Sequence, residues 1–240
     1  MIIGNKYKIT RKLGEGNFGA VFKGRNIRTG EEVAIKAEPL DGVASILKKE
    51  AQIYQYIGKT EGFPTVKWFG VDDNNRYMVI DLLGESIGER VKRDGHVPLS
   101  VAIEYGKQMI DRVEWLHGKR MIHRDIKPDN FLFGVKQNAN TIYLIDLGFC
   151  KLYEDENGKH IGERRNCSLI GTPNFMSMNV RNGIEPSRRD DIESIVYVMM
   201  FMVSNADKNN EMFARLISHL NGVGFYEMPN YEFLRSNMIL

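Results

Sequence analysis

The sequence predicts an α+β chain of two lobes within one domain: a small β-rich lobe over residues 1–81, a hinge at 82–84 and a larger helical lobe over residues 85–240. Three observations predict this. Short β-branched runs bounded by Gly and Pro dominate the first part. A single stretch of helical periodicity interrupts them. Beyond Gly84, apolar residues recur every three or four positions.

Taken in order, Tyr7 to Leu13 alternates as a strand does, and Ala20 to Lys23 resumes after a glycine cluster. Glu32 to Ala37 is short and β-branched between Thr29-Gly30 and Pro39. Ile46, Leu47, Ile53, Tyr54 and Ile57 then fall on one helical face, with Lys48, Lys49 and Glu50 between them. Val66–Val71 and Arg76–Leu82 complete the strands. In the helical lobe, Ser100 is expected to cap a helix that presents Val101, Ile103, Met109, Ile110, Val113 and Leu116 and stops near Gly118.

A net charge of +2 argues against nucleic-acid binding driven by bulk charge. The longest apolar run, Ile195 to Val203, is too short to span a bilayer, and the N-terminus lacks the apolar core of a signal peptide. Cys150 and Cys167 lack metal-ligand spacing and read as thiols in a reducing compartment. A cytoplasmic or nuclear protein without a membrane partner is expected.

The chemistry lies in four motifs. Gly14-Glu15-Gly16-Asn17-Phe18-Gly19-Ala20-Val21 lies between two strands, where glycines let backbone N–H groups approach phosphate. Alone, a glycine-rich hairpin turn would give the same string. Val33-Ala34-Ile35-Lys36 adds a strand lysine, and Glu50 on the next helix is placed to pair with it. Each alone reads as a solvated surface charge. His123-Arg124-Asp125-Ile126-Lys127-Pro128-Asp129-Asn130 offers a carboxylate base in Asp125 and a lysine in Lys127 to offset transition-state charge. Asn130 and Asp146, of Asp146-Leu147-Gly148, are candidate Mg²⁺ ligands, since few hard oxygen donors suit a metal that also bridges nucleotide phosphates. His123 reads as a packed histidine shaping its loop. Four motifs in this order point to phosphoryl transfer from Mg-ATP to a hydroxyl.

The chain resembles the eukaryotic protein kinases, and within them the casein kinase I family. The marks are Asp129-Asn130-Phe131-Leu132, Leu82-Leu83-Gly84-Glu85-Ser86, Ser177-Met178-Asn179 and Gly183-Ile184-Glu185-Pro186-Ser187-Arg188-Arg189-Asp190-Asp191. The resemblance implies a bilobal kinase fold and a Ser/Thr kinase acting on protein hydroxyls in acidic contexts. It implies a nucleotide site formed by Leu13, the Gly14–Val21 stretch, Ala34, Lys36, Ile80 as gatekeeper, backbone groups of Asp81 and Leu83, and Leu132 and Ile145. It also implies that Asp191 braces the catalytic loop, although a helix N-terminal acid favoured by the dipole is a sufficient reading by itself.

The chain departs from that family twice. Met202 to Lys208 passes almost directly into Glu211-Met212-Phe213-Ala214, where family members carry a further loop and helix, so exposed apolar surface is expected. Asn174 replaces an arginine that helps bind a substrate phosphate, and Cys167 replaces a lysine. Arg124 and Lys151 remain. Weakened preference for pre-phosphorylated substrates follows, with Arg164 and Arg165 turned towards acidic ones. A nucleotide-binding scaffold without transfer is the alternative; it predicts loss of Lys36, Asp125 or Asp146, and all three are present. The sequence leaves oligomeric state and pathway open.

Overall fold

The computed structural model describes residues 1–16, 19–40 and 45–239. They form two compact units, an N-lobe of Met1–Gly84 with Phe133–Gly148, and a C-lobe of Glu85–Leu132 with Phe149–Leu240. The N-lobe is β-rich and the C-lobe helical, as the periodicity predicts.

The N-lobe is an antiparallel sheet of β1 (Ile2–Ile3), β2 (Tyr7–Gly16), β3 (Gly19–Asn26), β4 (Glu32–Pro39), β5 (Val66–Val71) and β6 (Asn75–Asp81), in the order β1-β2-β3-β4-β6-β5. Period-two alternation sets its faces. On β4, Val33, Ile35 and Ala37 point into a core with Ile3, Tyr7, Tyr77 and Val79, leaving Ala34 and Lys36 for the opposite face. β1 was too short for a sequence signal.

The one N-lobe helix, α1 (Ile46–Ile57), starts at Ser45, whose hydroxyl accepts the Lys48 N–H at 2.9 Å. It stops at Gly58, which takes φ 74°. Leu47, Glu50, Ala51, Tyr54 and Ile57 form its buried face, whereas Ile46 and Ile53, expected on it, are only half-buried. Glu50 therefore enters the lobe by helical spacing alone. The segment 133–148 joins this lobe through Gly84 N–H to the Phe133 carbonyl (2.8 Å) and Leu144 N–H to the Gly62 carbonyl (2.8 Å).

The C-lobe begins with α2 (Ile87–Asp94), closed by a capping box between Ser86 and Glu89. In α3 (Leu99–Gly118) the buried residues are Ala102, Ile103, Gly106, Met109, Ile110, Val113, Leu116 and His117, while Val101, expected on that face, is only half-buried. Its cap is not Ser100. Pro98 holds that position at φ −56°, its carbonyl accepting the Val101 and Ala102 N–H groups, and Ser100 lies exposed in the first turn. Then follow α4 (Met178–Arg181), α5 (Arg188–Met202), α6 (Glu211–Asn221) and α7 (Tyr231–Ser236).

α5 is the C-lobe's centre. Ile192, Ile195, Val196, Val198, Met199 and Met202 are all fully buried, so the apolar run is a core helix packed on α3 and α6. Among the described residues no helix is long and apolar enough to cross a membrane. Tyr226 and Met228 lie exposed.

Candidate active site

The candidate residues divide between the lobes. In the N-lobe, the described residues of Gly14 to Val21 pair as neighbouring antiparallel strands: Gly14 with Val21, Glu15 with Ala20 and Gly16 with Gly19. Asn17 and Phe18 lie outside the described residues. Leu13 sits exposed at a register shift beside it. Only Gly19 is dictated by local packing. It takes φ 134°, and a Cβ there would meet the Ala37 carbonyl oxygen at 1.9 Å. At Gly14 and Gly16 a Cβ would meet nothing within 4 Å. Packing among the described residues does not explain those two glycines.

Lys36 Nζ donates to Glu50 Oε1 at 2.6 Å and lies 3.9 Å from Asp146 Oδ1. Burial works against the ammonium, but the two carboxylates outweigh it and hold Lys36 above its ordinary range. It therefore stays charged. The Leu147 N–H also reaches Glu50. Asp146 takes a left-handed backbone, φ 65°. Behind it, Lys49 Nζ donates to the Gly148 carbonyl at 3.1 Å, and a Cβ on Gly148 would come within 2.4 Å of Ile46 Cγ2. Residues far apart in sequence thus meet as one block with α1.

The expected adenine-site residues of this lobe are Ala34, Ile80, Asp81, Leu83 and Ile145. Ala34 and Ile80 are buried and paired across β4 and β6. The Asp81 carboxylate accepts the Thr65 N–H and the Lys67 ammonium, each about 2.7–2.8 Å away, so its side chain is committed. Leu83 and Ile145 are half-buried.

In the C-lobe, the catalytic-loop sequence hangs on α5. Asp191, one of the acids of its first turn, accepts the His123 N–H at 2.7 Å and the Arg124 N–H at 2.9 Å. His117 Nε2 lies 2.9 Å from the same carboxylate, with the Tyr231 hydroxyl on its other nitrogen. Burial lowers the His117 pKa in spite of Asp191, so the ring is neutral. His123 is fully buried, and its Nδ1 accepts the Asp125 N–H at 3.2 Å, a packed and structural role.

This scaffold presents Asp125. Its Oδ2 accepts Lys127 Nζ at 2.6 Å, and its Oδ1 accepts the Thr172 hydroxyl at 2.8 Å. Asn130 Nδ2 donates to the Asp125 carbonyl at 2.8 Å, which turns the amide oxygen away as a hard donor. An amide oxygen in Asn130 and a carboxylate in Asp146 are the donor chemistry Mg²⁺ takes, with phosphate and water completing its shell. Leu132 is half-buried, its backbone bridged to Ser86.

Two sets of contacts escaped the sequence reading. The Thr172 hydroxyl on Asp125 spans a long stretch of chain that no local pattern reports. Glu185, buried at 3% side-chain exposure, gathers Lys151 (2.6 Å), Arg164 (2.6 Å) and the Cys167 thiol (3.5 Å). Arg164, expected to face acidic substrates, is therefore turned to Glu185. Among the described residues Arg165 keeps only a loose contact with Glu163 at 3.8 Å, and it stays exposed. Arg124 directs its Nε at the Phe149 carbonyl, 2.7 Å away.

Residues 7–215 match the protein kinase domain family. The chain belongs to that family. Its β-rich N-lobe and helical C-lobe are those of the bilobal kinase fold, a catalytic domain capable of phosphotransfer with ATP and Mg²⁺.

Proposed function

We propose that this protein is a Ser/Thr kinase of the casein kinase I type, moving the γ-phosphate of Mg-ATP onto protein hydroxyls in acidic contexts. The observation that carries the reading is Asp125, held between the Lys127 ammonium and the Thr172 hydroxyl. Asp125 takes the proton as the substrate oxygen bonds to phosphorus and the bond to the ADP oxygen breaks. Lys127 offsets negative charge beside that carboxylate. Lys36, kept charged by Glu50, steadies the nucleotide phosphates. The Gly14–Val21 hairpin offers them backbone N–H groups, and Leu13, Ala34, Ile80, Leu132 and Ile145 supply apolar surface for the base. Asn130 and Asp146 would hold the magnesium, which supplies charge neutralisation between phosphates. Asn174 in place of an arginine, and Lys151 committed to Glu185, support weak selection for pre-phosphorylated substrates.

The test is transfer of labelled γ-phosphate to casein or an acidic Ser peptide, wild type against Asp125→Asn. Transfer should fall by roughly 10²–10⁴-fold. Nucleotide binding with no transfer above the variant would make the chain a scaffold. A peptide with upstream phosphoserine should gain little over one with aspartate; a large gain would refute the weak-priming reading.

A further inference from the structure

The hydrogen-bond chain behind the catalytic loop does not stop at Asp191. His117, in the last turn of α3, presents Nε2 to Asp191 Oδ2 at 2.9 Å and Nδ1 to the Tyr231 hydroxyl at 2.7 Å. Tyr231 opens α7, beyond the matched residues 7–215. All three side chains are buried, and Tyr231, the least enclosed, is 6% exposed. Arg235 ties the same helix to α3, its Nη1 reaching Asp111 Oδ1 at 3.1 Å and Glu114 Oε2 at 2.5 Å.

Chemistry fixes where each proton lies. Burial works against the Asp191 carboxylate, but hydrogen bonds from His117 and the His123 N–H outweigh it and hold it below its ordinary range. Ionised, it only accepts. A neutral imidazole offers one N–H and one lone pair, so the N–H sits on Nε2, and Nδ1 accepts from Tyr231. Burial pushes the Tyr231 phenol above its ordinary value, which keeps that proton on oxygen. The Tyr153 hydroxyl donates to the His117 carbonyl at 2.7 Å, which fixes the backbone but not the ring. With both nitrogens engaged, the ring turns only by breaking two buried hydrogen bonds. Without the phenol oxygen, Nδ1 loses this donor and one bond alone resists rotation. The ring matters because Asp191 also accepts the His123 and Arg124 N–H groups, at 2.7 and 2.9 Å. A ring that turns takes a donor from this carboxylate and loosens its hold on the backbone that carries Asp125.

We infer that Tyr231 is a positioning residue for phosphoryl transfer, acting on Asp125 through the His117 ring and Asp191; the inference rests on Asp125 as the base, as read above. Tyr231→Phe keeps the aromatic ring and removes the oxygen alone. Per folded molecule, well below the melting midpoint, kcat should fall roughly three- to tenfold, the scale of one buried hydrogen bond. KM for ATP and for peptide should stay within about twofold. In nitrogen NMR spectra, wild-type His117 should show a protonated Nε2 and a hydrogen-bonded, unprotonated Nδ1, and the Nδ1 resonance should move downfield in the variant. His117→Gln sets an amide donor opposite Asp191 that needs no partner behind it. Adding Tyr231→Phe to that variant should then cost less than about twofold in kcat.

An unmoved Nδ1 resonance, a kcat within about twofold of wild type, or the full loss on adding Tyr231→Phe to His117→Gln overturns the inference. Should Tyr231→Phe not fold, 3-fluorotyrosine placed at Tyr231 strengthens the donor without removing it. The Nδ1 resonance should then shift with kcat kept within about twofold, and a resonance that stands still overturns the inference equally. A wild type that binds nucleotide and transfers nothing overturns the kinase reading instead. The coupling is then read from the His123 and Arg124 amide signals, which should move in Tyr231→Phe. Signals that stay in place overturn the coupling as well.

Discussion

Asp191 holds the backbone of Arg124 from below, its Oδ1 accepting the Arg124 N–H at 2.9 Å while that residue sits at φ 72°. A left-handed arginine is strained, and the bond from α5 is part of what fixes it. Removing the carboxylate with Asp191→Ala leaves the His123 and Arg124 N–H groups and His117 Nε2 without this buried acceptor. Urea unfolding should show a loss of about 3–5 kcal/mol, and transfer should drop even where the variant is folded. A loss under 1 kcal/mol would mean the loop holds its own shape.

Glu50→Gln removes the carboxylate that keeps Lys36 charged and placed. The rate should fall by roughly 10²–10³-fold, and Lys36→Met should do the same. Because the two act as a unit, the double variant should cost little more than either single one. Additive losses in steady-state assays would show that they work separately.

Glu185 gives a pH dependence with a definite sign. Burial pushes its carboxyl up, but Lys151 and Arg164 outweigh that and hold it below its ordinary value of 4.5. A depressed folded value means the stabilisation is complete above pH 4.5 and is lost as pH falls through the lower value. Glu185→Gln should be less stable than wild type by about 1–2 kcal/mol at pH 7, since Arg164 can turn to water. That gap should stay level down to about pH 5 and close below it. A gap that widens in acid would reverse the assignment.

Gly19 and Gly16 should respond differently to alanine. At Gly19 the added carbon collides with the Ala37 carbonyl at a φ that side chains avoid, so melting should reveal a loss of about 1–3 kcal/mol. At Gly16 there is open space, and stability should change by less than about 0.5 kcal/mol. Only the KM for ATP should rise there. Equal effects on melting would remove the distinction between a packing glycine and a ligand glycine.

The residues that local chemistry controls were legible in the sequence. β4 and α1 announce themselves by period two and by three-to-four spacing, and Lys36 and Glu50 inherit their positions from those periods. Asp125, Lys127 and Asn130 are close in sequence and meet within a short loop. What was not legible depends on distant pairing. The clasp of Thr172 on Asp125 and the use of Arg164 by Glu185 each join separate segments. An exposed-looking arginine carries no mark of an internal partner. The cap of α3 was misplaced because serine is the commoner cap, while here the proline two residues earlier already supplies the backbone angle.

The contact of Gly148 with α1 bears on pharmacology. Compounds that act by swinging the Asp146-Leu147-Gly148 segment outward would have to pull it from Ile46, strip Lys49 from its carbonyl and draw the wholly enclosed Leu147 into solvent. Compounds of that kind should bind this protein poorly.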